Sequence, residues 1–142
     1  MASPVDRNVN LAPARKGRVL IVDDDPVVLE LVRGWLEEAG YAVEVRESAL
    51  GTTQQVATDQ PDVVLLDVMM PALSGGELAQ LIRRHHRTSL ASVILHSSLE
   101  PEELAALVQK TGALGALAKT SDGERFVAEF DRLIASRRHP YS

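Results

Sequence analysis

Short apolar runs alternate with longer amphipathic segments through most of this 142-residue chain, and this alternation constrains the fold more than any other feature. The runs at 19–22 and 63–66 are continuously apolar, as is typical of strands buried on both faces. Between them, apolar residues recur at helical spacing from Val28 to Ala39, after Pro26 and before Gly40. The pattern predicts an α/β fold with a doubly wound, five-stranded parallel sheet and helices on both faces.

The predicted elements follow one another with no sign of a repeat. The predicted strands are at 19–22, 41–45, 63–66, 91–95 and 113–118. The predicted helices are at 26–39, at 48–58, around Leu78, Leu81 and Ile82, at 101–109, and around 126–134. We expect a flexible leader at 1–16, a single domain at 17–138 and a short tail at 139–142.

Composition narrows the class of protein. The net charge of −5, without a basic stripe, argues against a general nucleic-acid binder. The absence of cysteine excludes a disulfide framework and a thiolate metal site. The leader lacks the apolar core of a signal peptide, and no apolar run is long enough to cross a bilayer. We therefore expect a cytoplasmic location without membrane contact.

Polar residues follow four of the predicted strands, and parallel strands bring such ends to one edge of a sheet. Two carboxylates about 4 Å apart repel by about 1 kcal/mol in water and about 4 kcal/mol at an effective dielectric of 20. Either a cation lies among these acids and relieves the repulsion, or their side chains splay into solvent. Oxygen ligands of this kind suit Mg²⁺, while a carboxylate can attack phosphorus and an ammonium or hydroxyl can bind the phosphoryl oxygens. The residues concerned are Asp23, Asp24, Asp25, Asp67, His96, Ser97, Ser98 and Lys119.

The motifs at these strand ends resemble the receiver domain of bacterial two-component response regulators. They are VDD at 22–24, LLDVMMP around Asp67, Gly75 in the next loop, SS at 97–98 and AK at 118–119. The resemblance extends from about residue 18 to residue 137 and implies a stand-alone receiver with the flavodoxin-like (βα)5 fold.

The resemblance also implies the roles of the site residues in a phosphorelay. Asp67 would be the phospho-acceptor, with Ser97 and Lys119 as its catalytic partners and Ser98 as a contact to the phosphate. The donor would be a sensor histidine kinase or a phosphotransfer protein. The chain would promote its own phosphorylation and dephosphorylation, as a signalling protein rather than an enzyme.

A metal site follows from the same resemblance. Mg²⁺, or Mn²⁺, would be held by Asp23, Asp24, Asp67 and the main-chain carbonyl of Met69. Asp25 is then left over, and we expect it at the start of the first helix, where a carboxylate favours the positive end of the helix dipole.

No output domain is visible after residue 138, so we expect the signal to leave through a protein surface. By analogy with the family, this surface would be built from the fourth helix, fifth strand and fifth helix of the predicted fold, with a downstream protein or a second copy as partner. Direct nucleic-acid binding is not expected.

Several positions depart from the family pattern. Ala116 stands where many receivers have an aromatic residue that changes rotamer, and Thr120 stands where many have proline after the lysine. The usual coupling of hydroxyl to aromatic ring is therefore not expected in its usual form. Met69 and Leu99, which flank the site, cannot orient a hydrolytic water by side-chain hydrogen bonds, which predicts slow self-dephosphorylation.

Three other functions share some of these features. A pseudo-receiver would keep the fold as a binding module without phosphorylation, although this sequence retains the acceptor and the acidic pair. A haloacid-dehalogenase-like phosphatase would use Asp23 as nucleophile and Asp25 as general acid, but would leave Asp67 without a task. A flavodoxin-like cofactor carrier would need a phosphate loop where this chain has three acids.

Overall fold

The computed structural model describes residues 16–48, 51–70 and 92–138. The strands are β1 (Arg18–Val22), β2 (Ala42–Arg46), β3 (Val63–Asp67), β4 (Ser92–Ser97) and β5 (Gly115–Ala118). The helices are α1 (Pro26–Glu38), α2 (Thr52–Asp59), α3 (Pro101–Thr111) and α4 (Gly123–Arg138). The predicted helix around Leu78, the tail at 139–142 and all of the leader except Lys16 lie outside the described residues. None of the described helices is both long and apolar enough to cross a membrane.

The strands form one parallel sheet in the order β2-β1-β3-β4-β5, which confirms the predicted fold. The order reverses between β1 and β3, because the chain adds β2 on one side of β1 and the later strands on the other. The carboxyl ends of β1 and β3 therefore meet at the switch point of the sheet, where ligands bind in folds of this type.

Alternate residues of the strands face two separate apolar layers. Val19 and Ile21 of β1 pack in the layer that includes residues of α1 and α4. Leu20 and Val22 face the layer that includes residues of α2, with α3 packed against it. The two layers show that the sheet carries helices on both faces, as its continuously apolar strands predict.

An aromatic cluster connects the layer of α1 and α4 to the edge of the sheet. The ring centroid of Phe126 lies 5.5 Å from that of Trp35, 6.0 Å from that of Phe130 and 5.4 Å from that of His96. Tyr41 completes the cluster by an edge contact to Phe130 at 5.2 Å. Offset and edge contacts at these distances are favourable for aromatic rings.

Several predicted boundaries differ from those of the structure, among them those of one helix and two strands. The second helix begins at Thr52 instead of residue 48, because its N-cap Gly51 has a φ of 78°, which no α-helix accommodates. The fourth strand continues past residue 95 to Ser97, since His96 is buried beside α4 and continues the ladder with β3. The fifth strand begins at Gly115 instead of residue 113.

Candidate functional site

Three carboxylates meet at the switch point of the sheet. Asp23 follows β1, Asp67 ends β3, and one oxygen of each lies within 4.8 Å of the others and of an oxygen of Asp24. Asp23 and Asp67 are buried, whereas Asp24 is exposed. The structure thus brings together the acids that the sequence predicted as a metal site.

Backbone amides orient the two buried carboxylates. The N–H of Asp25 donates to Oδ1 of Asp23 at 2.9 Å, and the N–H of Met69 donates to Oδ1 of Asp67 at 2.9 Å. Each amide comes from two residues further along the chain, so a tight turn after each strand holds its own acid. The second oxygen, Oδ2, of each carboxylate receives no bond from these amides and lies near the side chain of Lys119.

Lys119 faces both of these second oxygens. Its Nζ lies 3.3 Å from Oδ2 of Asp23 and 3.5 Å from Oδ2 of Asp67. Within the described part of the chain, Oδ2 of Asp23 is nevertheless buried without a hydrogen bond, because the ammonium is close to it but outside hydrogen-bonding geometry. We regard the contact as charge attraction that leaves a lone pair of this oxygen available.

Burial raises the pKa of the Asp67 carboxyl above its ordinary value, and repulsion from Asp23 raises it further. The Met69 N–H and the Lys119 ammonium act in the opposite direction without cancelling the effect. One ammonium cannot neutralise three carboxylates, so the site as built favours either a proton or a further cation.

The residues present fit a hard divalent cation. The oxygens of Asp23, Asp24 and Asp67 are close enough to share an ion, and one buried oxygen lacks a hydrogen bond. An all-oxygen donor set with an exposed member suits Mg²⁺, which keeps several waters when it binds to proteins.

Two serines lie at the neighbouring strand end. Ser97 is buried, its Oγ accepts from the N–H of Leu99 at 3.0 Å, and its carbonyl accepts from the N–H of Lys119 at 3.0 Å. The bond from the Lys119 N–H joins the residue that follows β5 to the last residue of β4. Ser98 follows as an exposed residue. Ser97 therefore lies at the same sheet edge as the acids, while Ser98 faces solvent.

His96 has an environment that the sequence did not reveal. It pairs in register with Asp67, is buried, and makes an edge contact to Phe126. Burial, with a smaller contribution from Lys119, lowers the pKa of His96 to about 4. Its position before Ser97 predicted a structural residue, but only the fold shows that its ring contacts the aromatic cluster.

Asp25 lies at the helix start, as expected. It is the N-cap of α1, and its Oδ1 accepts from the N–H of Val27 at 2.9 Å. It caps the helix and is not among the three grouped acids, which counts against its use as the general acid of the phosphatase alternative. Ala116 and Thr120 are half-buried, and the peptide bonds of the described residues, including that between Lys119 and Thr120, are all trans.

Comparison with known proteins gives one consistent family. Residues 19–131 match the response regulator receiver domain. The chain is 32% identical over 117 residues to the DNA-binding dual master transcriptional regulator RpaA of a Synechocystis species, covering 82% of this chain and 48% of that protein. It is 31% identical over 122 residues to the nitrogen assimilation regulatory protein NtrX of Azorhizobium caulinodans, covering 84% of this chain and 26% of that protein. The chain thus spans less than half the length of these relatives.

Solved structures agree on the fold. The chemotaxis response regulator CheY4 of Vibrio cholerae superimposes with a TM-score of 0.70 at 25% identity, covering 82% of this chain and 97% of that one. A response regulator from Thermotoga maritima gives a TM-score of 0.71 at 22% identity, with coverages of 83% and 97%. The second likeness bears on the fold alone.

Proposed function

Because the chain belongs to the receiver-domain family of two-component response regulators, we propose that it accepts a phosphoryl group on Asp67 in a phosphorelay. The observation that carries this proposal is the grouping of Asp23, Asp24 and Asp67 around the ammonium of Lys119. A buried acceptor, two further acids and one cation are the parts that phosphoryl transfer to a carboxylate requires.

The transfer itself uses the Asp67 carboxylate as nucleophile. A bond forms between its oxygen and phosphorus, and the bond between phosphorus and the imidazole nitrogen of a phosphohistidine donor breaks. The imidazole keeps the electron pair and takes a proton from solvent. The turn that donates the Met69 N–H to Oδ1 holds the acceptor in place and costs no reorganisation during the step.

Mg²⁺ or Mn²⁺ would be held by the carboxylates of Asp23, Asp24 and Asp67 and by the main-chain carbonyl of Met69. When bound, the ion offsets the repulsion among the carboxylates and attracts the phosphoryl oxygens. The chemistry of the ligand set supports this assignment, since all donors are oxygens and one is buried without a hydrogen bond.

The remaining polar residues would bind the transferred group. Lys119 would move from its pairing with Asp67 to a phosphoryl oxygen, keeping its charge beside Asp23. The Ser97 hydroxyl, which now accepts from Leu99, has a proton free to donate to the same group, and exposed Ser98 would contact it from the solvent side. Aspartyl phosphate would then be lost by hydrolysis at the same site.

The partners proposed are those of the family. The donor would be a sensor histidine kinase or a phosphotransfer protein, and the signal would leave through the face of α3, β5 and α4 to a downstream protein or a second copy. The relative RpaA is named as a DNA-binding regulator, but the net charge of −5 favours protein contacts for this chain. Ala116 on β5 has no side-chain rotamer to change, so the usual switch through an aromatic rotamer is not expected at this face.

Intact mass after incubation with Mg²⁺ and acetyl phosphate tests the proposal. We expect one phosphoryl adduct that disappears in Asp67→Asn and without Mg²⁺ but persists in the matched control Asp59→Asn, which lies at the end of α2. An adduct that persists in Asp67→Asn would refute the assignment. No adduct and no Mg²⁺ binding in the parent chain would make a pseudo-receiver the better account.

A further inference from the structure

An exposed stripe of α4 carries two opposite charges on either side of a small residue. Glu124, Ala128 and Arg132 are spaced four residues apart and are exposed, so they follow one another along one side of the helix. Arg125 and Glu129 of the same helix pair with each other at 3.4 Å. In contrast, neither Glu124 nor Arg132 has an ion pair or a side-chain hydrogen bond among the residues that the structure describes. The stripe therefore presents one unpaired acid and one unpaired base, about 12 Å apart along the helix.

The stripe borders a groove of about 660 Å³ between α1 and α4. Glu124 and Ala128 line this groove, together with Trp35 and Val127, whose apolar side chains are only half-buried. The groove lies on the side of α4 away from β5, because Leu133, whose side chain lies against β5, is about 140° around the helix from Ala128. Apolar surface that is rimmed by polar residues is typical of protein–protein contact sites.

The order of the charges makes the stripe complementary to itself. Glu124 and Arg132 each lie four residues from Ala128, in opposite directions along the helix. When two copies of α4 run antiparallel about a two-fold axis at Ala128, Glu124 of each copy therefore faces Arg132 of the other. A two-fold interface has this reciprocal form, in which each contact occurs twice. The small side chain at the axis lets the two helices approach closely, since the distance between packed helices depends on the side chains at their contact.

We infer that two copies of this chain associate through α4, with Ala128 at the two-fold axis and Glu124 of each copy paired to Arg132 of the other. The second copy covers part of the groove beside the stripe. Self-association satisfies both charges at once, whereas a basic partner would pair only with Glu124 and an acidic partner only with Arg132. The dimer is weak and depends on salt, because exposed ion pairs contribute little free energy and are screened by ions.

Charge reversal in the full chain, followed by sedimentation velocity, tests the pairing. The parent chain should show a reversible monomer–dimer equilibrium at micromolar to millimolar concentrations. Glu124→Arg leaves two bases on each stripe and Arg132→Glu leaves two acids, so each variant alone should dimerise about tenfold more weakly. An equimolar mixture of the two variants should recover the dimer, because each base in the mixed pair again meets an acid. Far-UV circular dichroism checks that both variants are folded.

Glu102→Arg is the matched control, because Glu102 is exposed and is the second residue of α3, as Glu124 is of α4. It should leave the Kd of the dimer unchanged. A parent chain that stays monomeric over the whole range would overturn the inference, as would a mixture that dimerises no better than its components. Loss of the dimer in Glu102→Arg would also overturn it, by placing the contact at α3. The measurement needs neither Mg²⁺ nor a phosphodonor, so its failure would leave the role proposed for Asp67 untouched.

Discussion

Neighbouring acids of one short run differ in burial and in hydrogen bonding. Asp23 is buried beside Lys119, Asp24 is exposed at the mouth of the site, and Asp25 caps α1. The Asp25 N–H also orients Asp23, so the helix cap and the site share one turn. The sequence predicted which acids meet, because strand ends in a parallel sheet converge. It could not predict their burial, which depends on how the turn packs.

The buried His96 should make stability depend on pH. Between its ordinary pKa of 6.5 and the folded value of about 4, the unfolded chain binds a proton that the folded chain excludes. The free energy of unfolding should therefore fall as the pH falls through this window, by about 1.4 kcal/mol per pH unit at most. His96→Leu should remove this contribution, as measured by urea unfolding of both proteins from pH 7 to pH 4. Parallel pH profiles in parent and variant would contradict the prediction.

The lifetime of the phosphorylated form should depend on two residues beside the site. Met69 is 55% exposed and Leu99 is half-buried, and neither side chain can hold a water by hydrogen bonds. If Asp67 is the acceptor, Met69→Asn and Leu99→Glu should each shorten the half-life of the adduct, followed by mass after removal of acetyl phosphate. Met69→Leu is the matched control. Unchanged half-lives in both polar variants would contradict the expectation.

At the scale of elements, the Trp35 ring of α1 lies so close to the first residue of α4 that any side chain there would force the ring to shift. A Cβ on Gly123 would lie 2.3 Å from Nε1 of Trp35, whereas a Cβ on Gly34 in α1 would meet nothing within 4 Å. Gly123→Ala should therefore lower the free energy of unfolding by about 1–3 kcal/mol through overpacking. Gly34→Ala should raise it by about 0.5–1 kcal/mol through helix propensity.

Urea unfolding of both glycine variants measures the contrast. Adding Trp35→Leu to Gly123→Ala should recover part of the loss, because it removes the ring that the new methyl group meets. A gain in stability for Gly123→Ala alone would contradict the prediction, since it would show that the Trp35 ring can shift at no cost.

The elements themselves were predictable where apolar periodicity was strong. The apolar runs at 19–22 and 63–66 predicted the cores of β1 and β3. The helical spacing of apolar residues predicted α1, and Pro26 and Gly40 marked its limits. The end of β4 was missed because His96 and Ser97 are polar, and only their contacts with other elements explain their burial. The start of α2 was misplaced because a left-handed Gly51 leaves no mark in hydrophobic spacing.

At the scale of the whole molecule, binding of Mg²⁺ should raise the stability of the fold. An ion held only by the folded chain adds about 2.7 kcal/mol at a free concentration about 100 times its Kd. Thermal unfolding with and without Mg²⁺ should show this shift in the parent chain. The shift should be reduced in Asp24→Asn and retained in Asp25→Asn, because asparagine caps a helix as well as aspartate does. Equal shifts in both variants would exclude Asp24 as a ligand.

The aromatic cluster has an optical consequence. Trp35 is the single tryptophan of the chain. It lines the groove between α1 and α4, and its ring contacts Phe126. Phe126 in turn contacts His96, which immediately precedes Ser97 at the site. The tryptophan emission of this protein therefore arises from one side chain, which two ring contacts connect to His96. A rearrangement at either the groove or the site can be followed by its wavelength and lifetime, without any added dye.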